Sequence, residues 1–362
     1  MRFRAEPPFT HSAGERAGVL LVNIGTPAQP TSAAVRRYLG RFLSDPRVVE
    51  IPRWLWLPLL HLVILTLRAP RSAAKYASIW RHGQSPLLRH TIDQAQGLQA
   101  HLAAEFGDRV TVAYAMRYSD PDIALAMAKL RAACCTHFVI VPLYPQYAAA
   151  TTASTMDEVF QFLQSTRTLP AMRWVHDFHD HPAYIQALAS GVRRHWADGQ
   201  ARGHLLVSFH GVPRRSLDLG DPYHCHCLKT ARLLAESLDL AADQWSVSFQ
   251  SRFGANRWLE PYTLDVVRQL AARGVTQVDV VMPSFVSDCL ETLEEIGIEV
   301  RDAFMAAGGR SFRPIPCLNS DAEWIAALAS LIRPELHQWF EPAGQAALEE
   351  RTKRAMALGA SQ

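Results

Sequence analysis

Residues 204–213 read HLLVSFHGVP, and residues 19–27 read VLLVNIGTP. Each is a short, nearly uninterrupted apolar run closed by glycine and proline. Such a run suits a parallel strand buried on both faces, because it lacks the spacing of an amphipathic helix. The same series of events follows both runs. Val110–Met116 (VTVAYAM) ends in Arg117-Tyr118, and Trp245–Gln250 (WSVSFQ) ends in Ser251-Arg252-Phe253. His137–Leu143 (HFVIVPL) runs into Tyr144-Pro145, and Gln277–Met282 (QVDVVM) runs into Pro283-Ser284-Phe285. The parallel predicts an α/β fold of two doubly wound, Rossmann-like parallel-sheet domains facing each other across a cleft. Helices such as Thr230–Leu240 and Thr263–Arg273 lie between the strands. We place the domains at 18–170 and 171–335, with tails at 1–17 and 341–362. The interval 25–109 is much longer than its counterpart 210–244, so the first copy carries an insertion.

Composition narrows the function. The chain has 362 residues, 37 basic and 34 acidic side chains, a net charge of +3 and 49% apolar residues. These are the proportions of a globular protein long enough for two domains, and they rule out wholesale disorder. So small a net charge, with no basic run, argues against a nucleic-acid partner. Six cysteines in such a length make no disulfide framework, and residues 1–18 lack the apolar core of a secretion signal. A reducing, cytoplasmic setting is expected. The insertion contains WLWLPLLHLVILTL at 54–67. It is shorter than the roughly 20 residues needed to cross a bilayer. It is expected to lie on a membrane surface instead, giving peripheral contact with the inner membrane. Nothing suggests a coiled coil or an exchanged segment, so a monomer is expected.

In open parallel sheets ligands bind beyond the carboxyl ends of the strands, which directs attention to the strand-end motifs. No GxGxxG, GxxxxGK[ST] or GxSxG occurs, so nucleotide-phosphate binding and the common hydrolase elbow have no support. His210 closes a buried strand, where an imidazole is either a base and metal ligand facing the cleft or a cap on a backbone carbonyl. Asp288, Glu291 and Glu295 follow the last strand of the second copy at helical spacing. They form either dipole partners at a helix start or a carboxylate ladder for a divalent ion. His224-Cys225-His226-Cys227 resembles a metal motif, but Asp221-Pro222 before it starts a helix, which turns Cys225 and Cys227 to opposite sides. The run His176-Asp177-Phe178-His179-Asp180-His181 reads as a surface loop at the crossover between copies. Arg117-Tyr118 and Arg252-Phe253, with Trp258 nearby, suit a large, flat, partly anionic ligand or simply close the core.

Taken together, these segments resemble the ferrochelatase family, in its Gram-negative bacterial form. The resemblance rests on VNIGTP (22–27), GQSPL (83–87), AMRYSDP (115–121) and PLYPQYAAATTAST (142–155). It continues through SFHGVP (208–213), DPY (221–223), SFQSRFG (248–254) and SDCLETLEEI (287–296). It covers about residues 18–333 in the family's order. What the resemblance implies is insertion of Fe²⁺ into protoporphyrin IX to give protohaem, with release of two protons. It implies His210 as catalytic histidine and Glu291 as its partner carboxylate, both ligands of the incoming iron. It leaves open whether the histidine takes pyrrole protons or delivers metal. Asp288 and Glu295 extend an acidic path, and Ile24, Ser85, Arg117, Tyr118 and Trp258 match porphyrin contacts. The stretch 54–67 matches the family's apolar lip. Iron enters as substrate, no bound cofactor is implied, and the absence of cysteine after Cys317 predicts no [2Fe-2S] cluster. Coproporphyrin III as substrate, cobalt as metal, and a non-catalytic tetrapyrrole carrier remain the alternatives at this level.

Overall fold

A computed structural model describes residues 3–7, 14–197, 201–254, 256–340 and 345–360. Among these residues, eight strands form two parallel sheets. The first contains β1 (Ala17–Asn23), β2 (Val110–Met116), β3 (His137–Pro142) and β4 (Ala171–Trp174) in the order β2-β1-β3-β4. The second contains β5 (His204–His210), β6 (Trp245–Gln250), β7 (Gln277–Val281) and β8 (Ser311–Pro314) in the order β6-β5-β7-β8. The two orders are the same order shifted by four strands, which is the duplication read from the sequence.

Alternation along the central strands explains why they read as continuous apolar runs. Val19 and Leu21 of β1 join one cluster, while Leu20 and Val22 join another on the opposite face. In β5, Leu205, Val207 and Phe209 face the first of these clusters, and Leu206 faces a fourth. The shared cluster runs through both halves by way of the helices Pro182–Trp196 and Ala322–His337. The latter also packs on Pro86–Phe106 of the first half, where Arg333 and His337 both reach Glu105, at 2.8 and 2.7 Å. One glycine matters here. A Cβ on Gly97 would meet Ile325 at 3.3 Å, so its absence sets how closely these two helices approach.

Several expectations are corrected. Ala171–Trp174 pairs with β3, so the first sheet runs past the boundary expected at 170. Strands β4 and β8 were not foreseen, because each is four residues long, mixed in polarity and at a sheet edge. The expected N-terminal tail is partly docked. Arg4 N–H donates to Ser165 O at 2.8 Å, and Glu6 accepts from the Arg167 and Thr168 amides at 3.0 and 2.9 Å. The C-terminal tail contains a helix, Gln345–Ala357. Residues 1–2, 8–13, 341–344 and 361–362 of those tails lie outside the described residues.

The insertion is helical from Arg53 to Ile79, with a π turn at Leu60–Ile64. Its inner face, Trp56, Leu60 and Leu65, packs with Val35 and Leu39 in a separate cluster. Its outer face leaves Trp54 80%, Leu62 75% and Leu67 64% exposed. No helix among the described residues is long and apolar enough to cross a membrane.

Candidate active site

His210 ends β5 and is held from three directions. Its N–H donates to Ser284 Oγ at 3.0 Å, and its carbonyl accepts from the Tyr223 hydroxyl at 2.9 Å. Its Nδ1 lies 2.6 Å from Gly211 O. A carbonyl only accepts, so Nδ1 carries a proton, which leaves Nε2 as the ring nitrogen placed to act as base or metal ligand. The sequence left capping and chemistry as alternatives for this residue. The bond to Gly211 is compatible with both, since it engages only one of the two ring nitrogens. Gly211 must be glycine, because a Cβ there would sit 2.7 Å from Gln250 O and 3.3 Å from the Trp258 ring.

Glu291 and Glu295 sit on a π-helix, Glu291–Val300, not the ordinary helix expected. Single π turns concentrate at functional sites; here the whole acidic segment adopts one. Glu295 accepts from Ser251 N at 2.7 Å and Ser251 Oγ at 2.5 Å. Burial pushes its carboxyl above the ordinary value; the Ser251 bonds and the neighbouring His210 pull it down, and Glu291 pushes it up. Glu295 is thus the common electrostatic neighbour of His210 and Glu291. Gln250 fixes the backbone between them, donating to Glu291 O at 3.1 Å.

Glu291 also faces the insertion. Burial first, and then the Glu291 charge among others, drive the phenols of Tyr38 and Tyr76 well above their usual range, so both stay neutral donors. Lys75 of the insertion bridges Glu294 at 2.9 Å and Glu299 at 3.1 Å, tying it to the π-helix. Arg68 lies 4.4 Å over the exposed ring of Phe253, a second link from the insertion to the loop after β6.

Three expected site residues are engaged with other protein groups. Asp288 precedes the π-helix and turns to Thr292 Oγ1 (2.9 Å) and Asn319 Nδ2 (2.7 Å), bracing the loop and not continuing the Glu291–Glu295 row. Arg117 pairs with Asp45 at 2.9 Å and Glu158 at 2.7 Å, and the buried Tyr118 hydroxyl donates to the same Asp45 at 2.8 Å. Burial opposes ionisation of Asp45, but bonds from Ser154, the Arg47 amide and Tyr118, with the Arg117 charge, hold its carboxyl below the ordinary value. An ≈ 400 Å³ cavity beside this network is lined by Arg41, Ser44, Pro46 and Asp122 as well, without His210 or Glu291.

Ile24 follows β1 and packs on the insertion cluster, and Ser85 is buried at the head of Pro86–Phe106. Trp258 pairs through its backbone with Pro213, and its buried Nε1–H has no hydrogen-bond partner among the described residues. Ser251, Gln250 and Ser284 were not singled out from sequence. Their strand-end positions in SFQSRFG and PSF were the available signal.

Two parallel-sheet lobes of the same strand order, with a histidine and carboxylates at the strand ends, give the architecture of the chelatases. The structure is similar to SirB from Bacillus subtilis with Fe³⁺, at a TM-score of 0.52 and 13% identity, over 88% of this chain and 94% of that one. A cobalt complex of the sirohydrochlorin chelatase SirB from Bacillus subtilis subspecies spizizenii aligns at a TM-score of 0.50 and 11% identity, over 88% and 94%. At that identity the likeness concerns the fold. Sequence supplies the rest: the ferrochelatase family profile matches residues 16–336, and the chain belongs to that family. Ferrochelatase of Azoarcus sp. is 56% identical over 100% of this chain and 99% of the relative. That of Aromatoleum aromaticum is 53% identical over 99% of each.

Proposed function

We propose that this ferrochelatase inserts Fe²⁺ into protoporphyrin IX at the site built on His210, Glu291 and Glu295, as the last step of haem formation. The observation that carries this reading is the His210 ring, pinned through Nδ1 with Nε2 free, next to a carboxyl that burial holds above its ordinary value. Metal insertion exchanges two pyrrole protons for one Fe²⁺, so the site needs both an ion donor and a proton acceptor. His210 and Glu291 supply a mixed nitrogen and oxygen ligand pair for a borderline ion. Glu295, bonded to Ser251 and adjacent to His210, gives the displaced protons a way out along the π-helix.

The macrocycle presents a geometric problem. In a flat porphyrin the nitrogen lone pairs converge in the plane, so metal approach from one face is poor. A cleft that favours a bent ring turns a lone pair toward the ion and spends binding energy on the transition state. Ile24, Ser85 and Trp258 would line that cleft, and the unpaired Trp258 N–H offers an anionic substituent a donor. Arg117 and Tyr118 serve by holding the end of β2 through Asp45. The exposed Trp54, Leu62 and Leu67 rest on the cytoplasmic membrane surface, where a sparingly soluble porphyrin is handed over.

The test is an anaerobic assay of the purified chain with Fe²⁺ and either protoporphyrin IX or coproporphyrin III. Porphyrin fluorescence is expected to fall as a haem spectrum rises, faster with protoporphyrin. Faster turnover of coproporphyrin would overturn the substrate, and tight porphyrin binding with no insertion of any divalent ion would overturn the catalytic reading.

A further inference from the structure

Two motifs that read separately as a helix start and a surface loop come together in space. His179, from the loop after β4, and His226, from the helix Tyr223–Ser237, stack with ring centroids 3.7 Å apart and planes 3° from parallel. Asp177 stands beside them, and one donor atom from each of the three lies within 4.8 Å of the other two. We propose that Asp177, His179 and His226 form a second divalent-metal site, distinct from the His210 centre, that takes a borderline ion such as Zn²⁺ or Co²⁺.

The chemistry of the three groups supports it. Two imidazoles and one carboxylate are the mixed set that such ions prefer over the hard, all-oxygen set of Mg²⁺ or Ca²⁺. Ligand atoms about 2.0–2.2 Å from an ion lie roughly 3.5 Å apart, and because the two rings are stacked, one of them must turn out of the stack for both in-plane lone pairs to meet on the ion. Asp177 is already oriented by its two histidine neighbours. It lies 2.6 Å from His179 Nδ1 and 2.7 Å from His176 Nδ1.

The surroundings make a rigid frame. Thr230 Oγ1 donates to His179 O at 2.7 Å and accepts from Gln146 Nε2 at 3.1 Å. Tyr147 N–H donates to His226 Nδ1 at 3.3 Å, and the Tyr147 ring stacks on His176 at 4.4 Å. Lys229 pairs with Asp180 at 2.5 Å, so this neighbouring cation is already neutralised. An ion here would join the segment leaving the first sheet to a helix of the second half, next to the loop after β3. Its role is that of a staple between the copies, without contact with the reacting ring.

The experiment uses the full-length, tag-free chain carrying His210→Ala, which removes the catalytic ligand from the signal. Co²⁺ is titrated and its visible ligand-field bands recorded, followed by displacement with Zn²⁺ and a melting curve with and without Zn²⁺. Saturable bands and a Zn²⁺-dependent rise in melting temperature are expected. His179→Ala and, as a space-filling variant, His226→Gln should each weaken Co²⁺ binding by about tenfold or more and abolish the Zn²⁺-dependent rise, measured for each variant against its own metal-free melting curve. Unaltered Co²⁺ affinity in both folded variants, or no saturable binding in the His210→Ala chain, would overturn the proposal.

Discussion

Replacing His210 by alanine should separate chemistry from folding, and the structure allows both sides to be sized. The residue's backbone bonds, to Ser284 Oγ and from the Tyr223 hydroxyl, do not involve the ring and survive the change. What disappears is one side-chain bond to Gly211 O and a loose ring contact with Phe285 at 6.1 Å. A net hydrogen bond contributes about 1 kcal/mol, so unfolding free energy should fall by roughly that amount. In the role proposed for His210, turnover loses a proton acceptor, worth about 10²–10⁴-fold, together with an iron ligand. Urea melts report the first quantity, and anaerobic Fe²⁺ insertion followed by porphyrin fluorescence reports the second. A variant that stays folded and inserts iron within tenfold of the parent would refute the assignment of His210. A variant that loses several kcal/mol would instead show that the ring braces the strand end.

The other predictions concern pH, the core and the insertion. Burial raises the folded-state value of Glu295, so its contribution to stability is present below the unfolded carboxyl value and is lost as pH rises through the raised one. Glu295→Gln should therefore gain stability relative to the parent as pH rises above the ordinary carboxylate value in paired urea melts; a difference independent of pH would contradict this. Asp279 is fully buried and accepts from Arg313 Nε (2.7 Å), Trp196 Nε1 (2.8 Å) and Gly203 N (2.9 Å). Asp279→Ala should cost about 3–5 kcal/mol by chemical denaturation, and a loss below 1 kcal/mol would show the charge is not needed. Replacing the exposed Trp54, Leu62 and Leu67 together by serine should move stability by no more than about 0.5 kcal/mol per site while abolishing sedimentation with anionic liposomes. Unchanged sedimentation would remove the insertion as the membrane contact.

What the sequence alone determined is local. Six strands could be placed because buried parallel strands need nearly continuous apolar side chains and end where glycine or proline stops them, as in VLLVNIGTP and HLLVSFHGVP. The repeat of that order implied the duplicated sheets, and the strand-end position of His210 marked the cleft. Tertiary structure decided the partnerships, because a buried polar group must be satisfied by whatever folding brings near it, and periodicity along the chain does not encode that neighbour. Arg117 is claimed by Asp45, 72 positions away, instead of standing open in a cleft. Glu295 takes its place through Ser251 and a π-helix whose wider turn the spacing did not reveal. His179 and His226, each unremarkable in its own segment, meet face to face only because the helix Tyr223–Ser237 packs on the helix Pro182–Trp196 and the loop that leads into it.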